Sequence, residues 1–113
     1  MEHDTIVDLV YDYLLKNKDL DLMRKYYKYN GYNELDIVRI TGLLKKTPHF
    51  HGYEIKSKDS KSAKKRAYKQ LKRFRDYVKK NYFCDVSLYY VRPVNNRVTI
   101  SRVMRKELSD VII

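Results

Sequence analysis

Asp36 sits in the short apolar run ELDIVRI, and further on Glu54 and Lys56 flank Ile55 in YEIKS. Side chains of an extended strand alternate between its two faces, so Gly52, Glu54 and Lys56 share one face while Tyr53 and Ile55 take the other. An acid on one strand and an acid and a lysine on the next can therefore converge. Carboxylate oxygens are the natural ligands of a hard divalent cation. Mg²⁺ keeps several of its waters and needs only one or two protein carboxylates, so Asp36 and Glu54 suffice, with the main-chain carbonyl of Ile55 as an additional oxygen ligand. An amine on the same face can position or help deprotonate an attacking water, or hold charge in the transition state, and Lys56 is that group. Such a set matches the needs of phosphodiester hydrolysis with Mg²⁺ or Mn²⁺ as cofactor. The plainer reading is a solvated charge pair at Glu54 and Lys56, with Asp36 facing solvent from a half-buried strand.

The elements that must position these residues are legible from periodicity. Ile6, Val10 and Leu14 recur at helical spacing with Val7 and Leu15 beside them, which predicts a helix over about 5–17 with Asp4 as its cap. MRKYYKYNGYN reads as a tyrosine-rich strand entering a tight turn at Asn30-Gly31, followed by a second strand in ELDIVRI and a loop through Gly42 and Pro48. HGYEIKSK resumes a strand, with His49-Phe50-His51 taken as a feature of the loop before it and no zinc spacing with cysteine. Ala63, Ala67, Leu71, Phe74 and Val78 then mark a long amphipathic helix carrying ten Lys and Arg between residues 61 and 80. FCDVSLYYVRP and NNRVTISRVM read as two more strands around an Asn95-Asn96 turn. No linker or internal repeat interrupts this order, so residues 1–113 form a single α/β domain.

ELDIV, YEIKS and the basic helix with AYKQL together resemble the PD-(D/E)xK nuclease superfamily, which includes archaeal Holliday junction resolvases, RecB-type nucleases and many restriction enzymes. The matching elements span about residues 4–92. The resemblance implies a central mixed β-sheet flanked by helices, with the αβββαβ restriction-endonuclease-like core. It implies that Asp36 and Glu54 bind the metal, that Lys56 is the motif lysine, and that Gln70 corresponds to a helix glutamine of RecB-like members. It also implies an acid from the first helix, for which Asp8 is preferred over Asp4 and Glu2. The chain departs from the family pattern at Leu35, where a proline commonly precedes the aspartate, while Glu34 adds a same-face acid two residues before Asp36 and is a further candidate metal ligand.

Charge points to the same substrate class. Lys and Arg outnumber Asp and Glu by 25 to 14, for a formal net charge of +11, and such an excess draws polyanions. DNA is the expected partner and an anionic membrane a distant second. On the basic helix and its approach, Lys58, Lys61, Lys64, Lys65, Lys69, Lys72 and Arg73 are the expected phosphate contacts. Of the 12 tyrosines, most should pack within the sheet, and Tyr32 beside the turn is suited to stacking on a base. The start MEHDTIVDLV lacks the basic and apolar segments of a signal peptide, no apolar stretch approaches the ~18 residues of a membrane span, and the single Cys84 suits a reducing compartment. A soluble cytoplasmic protein is expected, within the host cell if the Lys-, Ile- and Tyr-rich composition reflects a viral source. A resolvase-like enzyme cuts two strands symmetrically and would be a homodimer, with Asp110-Val111-Ile112-Ile113 as one contact. The competing reading is a non-catalytic basic nucleic-acid-binding module in which the acids are structural.

Overall fold

The computed structural model describes residues 1–103 in full and residues 108–112 through their backbone. Helix α1 (His3–Asn17) leads into β1 (Leu22–Tyr29), β2 (Asn33–Thr41) and β3 (His49–Ile55); α2 (Lys61–Tyr82) then crosses to β4 (Asp85–Val94), β5 (Arg97–Val103) and β6 (Leu108–Ile112). The strands form one mixed sheet in the order β1-β2-β3-β4-β5-β6. Only β3 and β4 run parallel, the pair that α2 connects; every other neighbour is antiparallel. The α/β mixed sheet flanked by helices and the element order expected from periodicity are thus present.

Hydrophobic burial explains the two-sided packing. On one face α1 packs Ile6, Val7, Val10 and Leu14 on Ile37, Tyr53, Ile55, Val91, Val98 and Ile100. On the other, Ala67, Leu71, Phe74 and Val78 of α2 pack on Tyr29, Leu35, Val38, Phe50, Leu88 and Tyr90. The side-chain oxygen of Ser60 accepts from the Ala63 N–H and caps α2. Among the described residues, no helix is long and apolar enough to cross a membrane.

Four local readings are corrected. Helix α1 begins at His3, so Asp4 lies inside the first turn and its cap position is Glu2, which makes no side-chain cap bond. His49, Phe50 and His51 belong to β3, because pairing with both β2 and β4 carries the strand back to His49. Residues 108–112 add a sixth strand on β5; the side chains of the tail expected to form a dimer contact lie outside the described residues. The fourth concerns strand alternation. Met23 and Ile37 pack on the α1 side, whereas Tyr27, Tyr29 and Leu35, also odd-numbered, pack on the α2 side. The switch falls where Tyr26 faces Asp36, between the register pairs Lys25–Ile37 and Tyr27–Leu35. Tyr26 has φ of 53°, outside the β region, where β1 changes face; β2 changes face opposite it, at Asp36.

Gly52 is required by the close packing of this region. A Cβ there would lie 2.7 Å from Leu35 Cδ2 and 2.8 Å from Phe74 Cδ2, and both partners are fully buried. Gly52→Ala is expected to destabilise the fold by about 1–3 kcal/mol through overpacking, measured by denaturant unfolding.

Candidate active site

The β2–β3 ladder runs from Thr41–His49 to Ile37–Tyr53 and stops there. One residue further along β2, the Asp36 side chain enters the widening gap, and its Oδ2 accepts the Ile55 N–H at 2.8 Å. A carboxylate thus takes the place of a main-chain acceptor. On the other edge of β3, the Lys56 N–H donates to the Val91 carbonyl at 2.9 Å. Polar main-chain groups of successive strand residues point to opposite edges, so the Ile55 carbonyl opens toward the Asp36 side.

Glu54 faces α2, as strand alternation predicts, and is only 3% exposed. Its Oε2 accepts from Lys56 Nζ at 3.3 Å, while Lys56 Nζ also donates to Gln70 Oε1 at 2.9 Å. The other oxygen, Oε1, is buried without a hydrogen-bond donor. Burial, then the charge of Asp36 and a hydrogen bond to it, push the Glu54 carboxyl up to about 8, against the smaller pull of Lys56. Glu54 therefore keeps its proton at neutral pH in the metal-free protein, beside the Asp36 carboxyl. A protonated buried carboxyl beside a second carboxyl is an arrangement that a cation in place of the proton would neutralise. The hard oxygen donors and the orphaned Oε1 fit a magnesium-type ion, with Asp36, Glu54 and the Ile55 carbonyl to hold it. Among the described residues, no group of three or more His, Cys, Asp or Glu side chains is placed to hold a metal, so water would complete such a site.

Asp36, Glu54, Ile55, Lys56 and Gln70 are therefore brought together. Glu34 and Asp8 are not. Glu34 is exposed on the hairpin, in register with Lys28, because the reversal at Asp36 removes it from that residue's surroundings. Asp8 Oδ1 accepts from Lys25 Nζ at 3.0 Å on the surface. It is the first turn of α1, not the second, that reaches Asp36. The group placed there is His3, whose Nε2 is 3.1 Å from Asp36 Oδ2 and whose Nδ1 is 3.1 Å from Asp4 Oδ1. Burial lowers the His3 pKa, but Asp36 and Asp4 outweigh it and the net displacement is upward. Tyr26 completes the cluster by donating to Asp4 Oδ1 at 2.8 Å. Reading histidines only against cysteine spacing misses His3; the signal available was its place on the buried stripe of α1, one turn before Val7 and in line with Val10 and Leu14.

The basic helix divides by face. Lys69 and Arg73 line a cleft of ≈ 310 Å³ with Lys56, Gln70 and Arg66, the last a residue not singled out from sequence. Lys64 lies on the opposite flank, its Nζ 5.5 Å from the centroid of the Tyr68 ring. Lys58, Lys61, Lys65 and Lys72 are exposed. Compared with protein-family models, curated proteins and solved structures, the chain matches none of them. Its own geometry defines it as a mixed α/β domain with two adjacent carboxyls and an amine where two central strands part.

Proposed function

We propose that this protein is a divalent-metal-dependent nuclease that hydrolyses DNA phosphodiester bonds, in the manner of the PD-(D/E)xK enzymes it resembles. The observation that carries the reading is the buried Glu54 carboxyl, with one oxygen lacking a donor, against Asp36 and within reach of the Lys56 amine. Mg²⁺ or Mn²⁺, when bound, supplies a water of lowered pKa and neutralises charge on the phosphoryl oxygens. Asp36 and Glu54 hold the ion. Lys56, kept in place by Gln70, donates to the attacking water or to a phosphoryl oxygen as negative charge develops there. Arg66, Lys69 and Arg73 border the same cleft, where they grip flanking phosphates and set the strand across Glu54.

The test is cleavage of circular and branched DNA in Mg²⁺, Mn²⁺ or EDTA, with DNA binding followed in parallel. Metal-dependent cutting by the wild type is expected, with Lys56→Ala losing about 10²–10³-fold in rate, the usual loss for one transition-state donor, while binding DNA with little change. Unaltered binding with no cutting in either metal would instead favour the non-catalytic basic module.

A further inference from the structure

The α1 side of the sheet turns polar beyond the end of the helix, and its chemistry is unlike that of the site around Glu54. Arg39, His51 and Ser87 form a row across β2, β3 and β4 through the register pairs Arg39–His51 and His51–Ser87. Arg39 is 5% exposed and Ser87 4%. The Arg39 guanidinium donates from Nε and Nη2 to the Tyr53 hydroxyl, and from Nη1 to the Asp19 main-chain carbonyl at 2.7 Å. Among the described residues it has no carboxylate within ion-pair distance. Arg102, itself exposed, reaches the same row, its Nη2 donating to Ser87 Oγ at 3.2 Å, so that Arg39 is the buried guanidinium here. Buried guanidinium groups are ordinarily paired, because desolvating the charge alone is unfavourable.

The neighbours are donors rather than counter-charges. His49 and His51 stack with centroids 4.3 Å apart; His49 Nε2 lies 2.7 Å from Ser87 Oγ and His51 Nε2 3.3 Å from Thr41 Oγ1. Burial first, then the positive charge of Arg39, His49, Arg102 and Lys18, pushes His51 down to about 3. The acids nearby are Asp85, alongside His49, and exposed Asp19 at the rim. The charge at the buried centre of this floor is therefore positive, while its uncharged groups are engaged with one another: Ser87 Oγ bonds His49 and Arg102, and both His51 nitrogens have partners, Thr41 and Tyr89.

We propose that this floor, built from Arg39, His49, His51, Ser87 and Arg102, binds a phosphate group. The buried charge of Arg39, the guanidinium of Arg102 and the His49 imidazole beside them suit a multiply charged oxyanion, which would take its hydrogen bonds from the remaining guanidinium and imidazole N–H groups. The phosphate comes either from a nucleic-acid backbone or from a small free anion, and both present the same oxygens. The site lies on the face opposite Glu54, Lys56 and Gln70, so it stands whether or not cleavage is observed.

Imidazole ¹H–¹⁵N spectra of the protein in EDTA, titrated at constant ionic strength with inorganic phosphate in place of chloride and separately with a short single-stranded oligonucleotide, test it. The His49 and His51 signals are expected to move. Arg102→Ala should weaken that response about tenfold, as loss of a charge-assisted hydrogen bond does. Arg97→Ala, which removes an exposed charge from the other end of β5, should leave it intact. A response to phosphate supports a small-anion site and a response to the oligonucleotide alone supports a backbone contact. No movement with either probe, or equal weakening in the two variants, overturns the proposal, the latter because attraction would then come from net charge alone.

Discussion

Glu54→Gln is expected to make the metal-free protein more stable at pH 8–9 while abolishing metal-dependent cleavage. The wild-type carboxyl has its pKa raised from 4.5 to about 8, first by burial and then by Asp36. Below pH 4.5 both folded and unfolded chains hold the proton, and Glu54 costs nothing. Between pH 4.5 and about 8 the unfolded chain releases the proton and the folded chain keeps it, so stability falls as pH rises; above about 8 the loss is complete and constant. Each pH unit between the two values is worth about 1.4 kcal/mol, which amounts to a few kcal/mol in all. Glutamine preserves the shape and a donor toward Asp36 but cannot ionise. Thermal unfolding in EDTA should therefore show the two proteins nearly level at pH 4 and the variant ahead by on the order of 10 °C at pH 8.5. Magnesium should stabilise the wild type increasingly with pH up to about 8, because binding must displace the Glu54 proton, and should have little effect on the variant. A wild type no less stable than Glu54→Gln at pH 8.5 would contradict the burial of an ionisable acid at this position.

The second large effect separates the two roles of Asp36. Its carboxylate replaces a ladder acceptor for the Ile55 N–H, so Asp36→Ala leaves that buried donor unsatisfied and deprives His3 of one of its two carboxylate partners. A loss of about 1–3 kcal/mol is expected from the orphaned N–H alone, together with loss of cleavage. Asp36→Asn keeps a carbonyl oxygen for Ile55 while removing the charge. It should fold with stability close to wild type, yet still lose cleavage, since one charge of the pair that holds the cation is gone. It should also lower the pH at which Glu54 titrates, because the Asp36 charge helps hold that value up. Unfolding and cleavage measured on both variants decide the point: an Asp36→Asn protein that cleaves normally would show that the residue serves the ladder alone.

What the sequence determined by itself is periodic and local. Ala63 to Val78 recur at helical spacing over four turns, and Asn30-Gly31 tolerates positive φ, so both elements were legible before any coordinates. The same holds for the shared face of Glu54 and Lys56, which requires only that β3 be a regular strand. The tertiary structure alone decided where regularity fails. Tyr26 takes a left-handed conformation opposite Asp36, β2 leaves β3 at that point, and the faces beyond it are exchanged. Alternation extrapolated through such a break places Glu34 beside Asp36 and offers no reason for His3 to approach it. The resemblance favoured Asp8 over Asp4 as the acid from that helix, whereas the packing of α1 sends Asp8 to Lys25 and the first turn to the gap. The physical reason is that side-chain direction propagates along a strand only while φ and ψ stay in the β region, and contacts between α1 and the sheet depend on burial summed over many residues. A convergence such as His3 with Asp36, separated by a helix and a hairpin, is settled by packing and not by any local pattern.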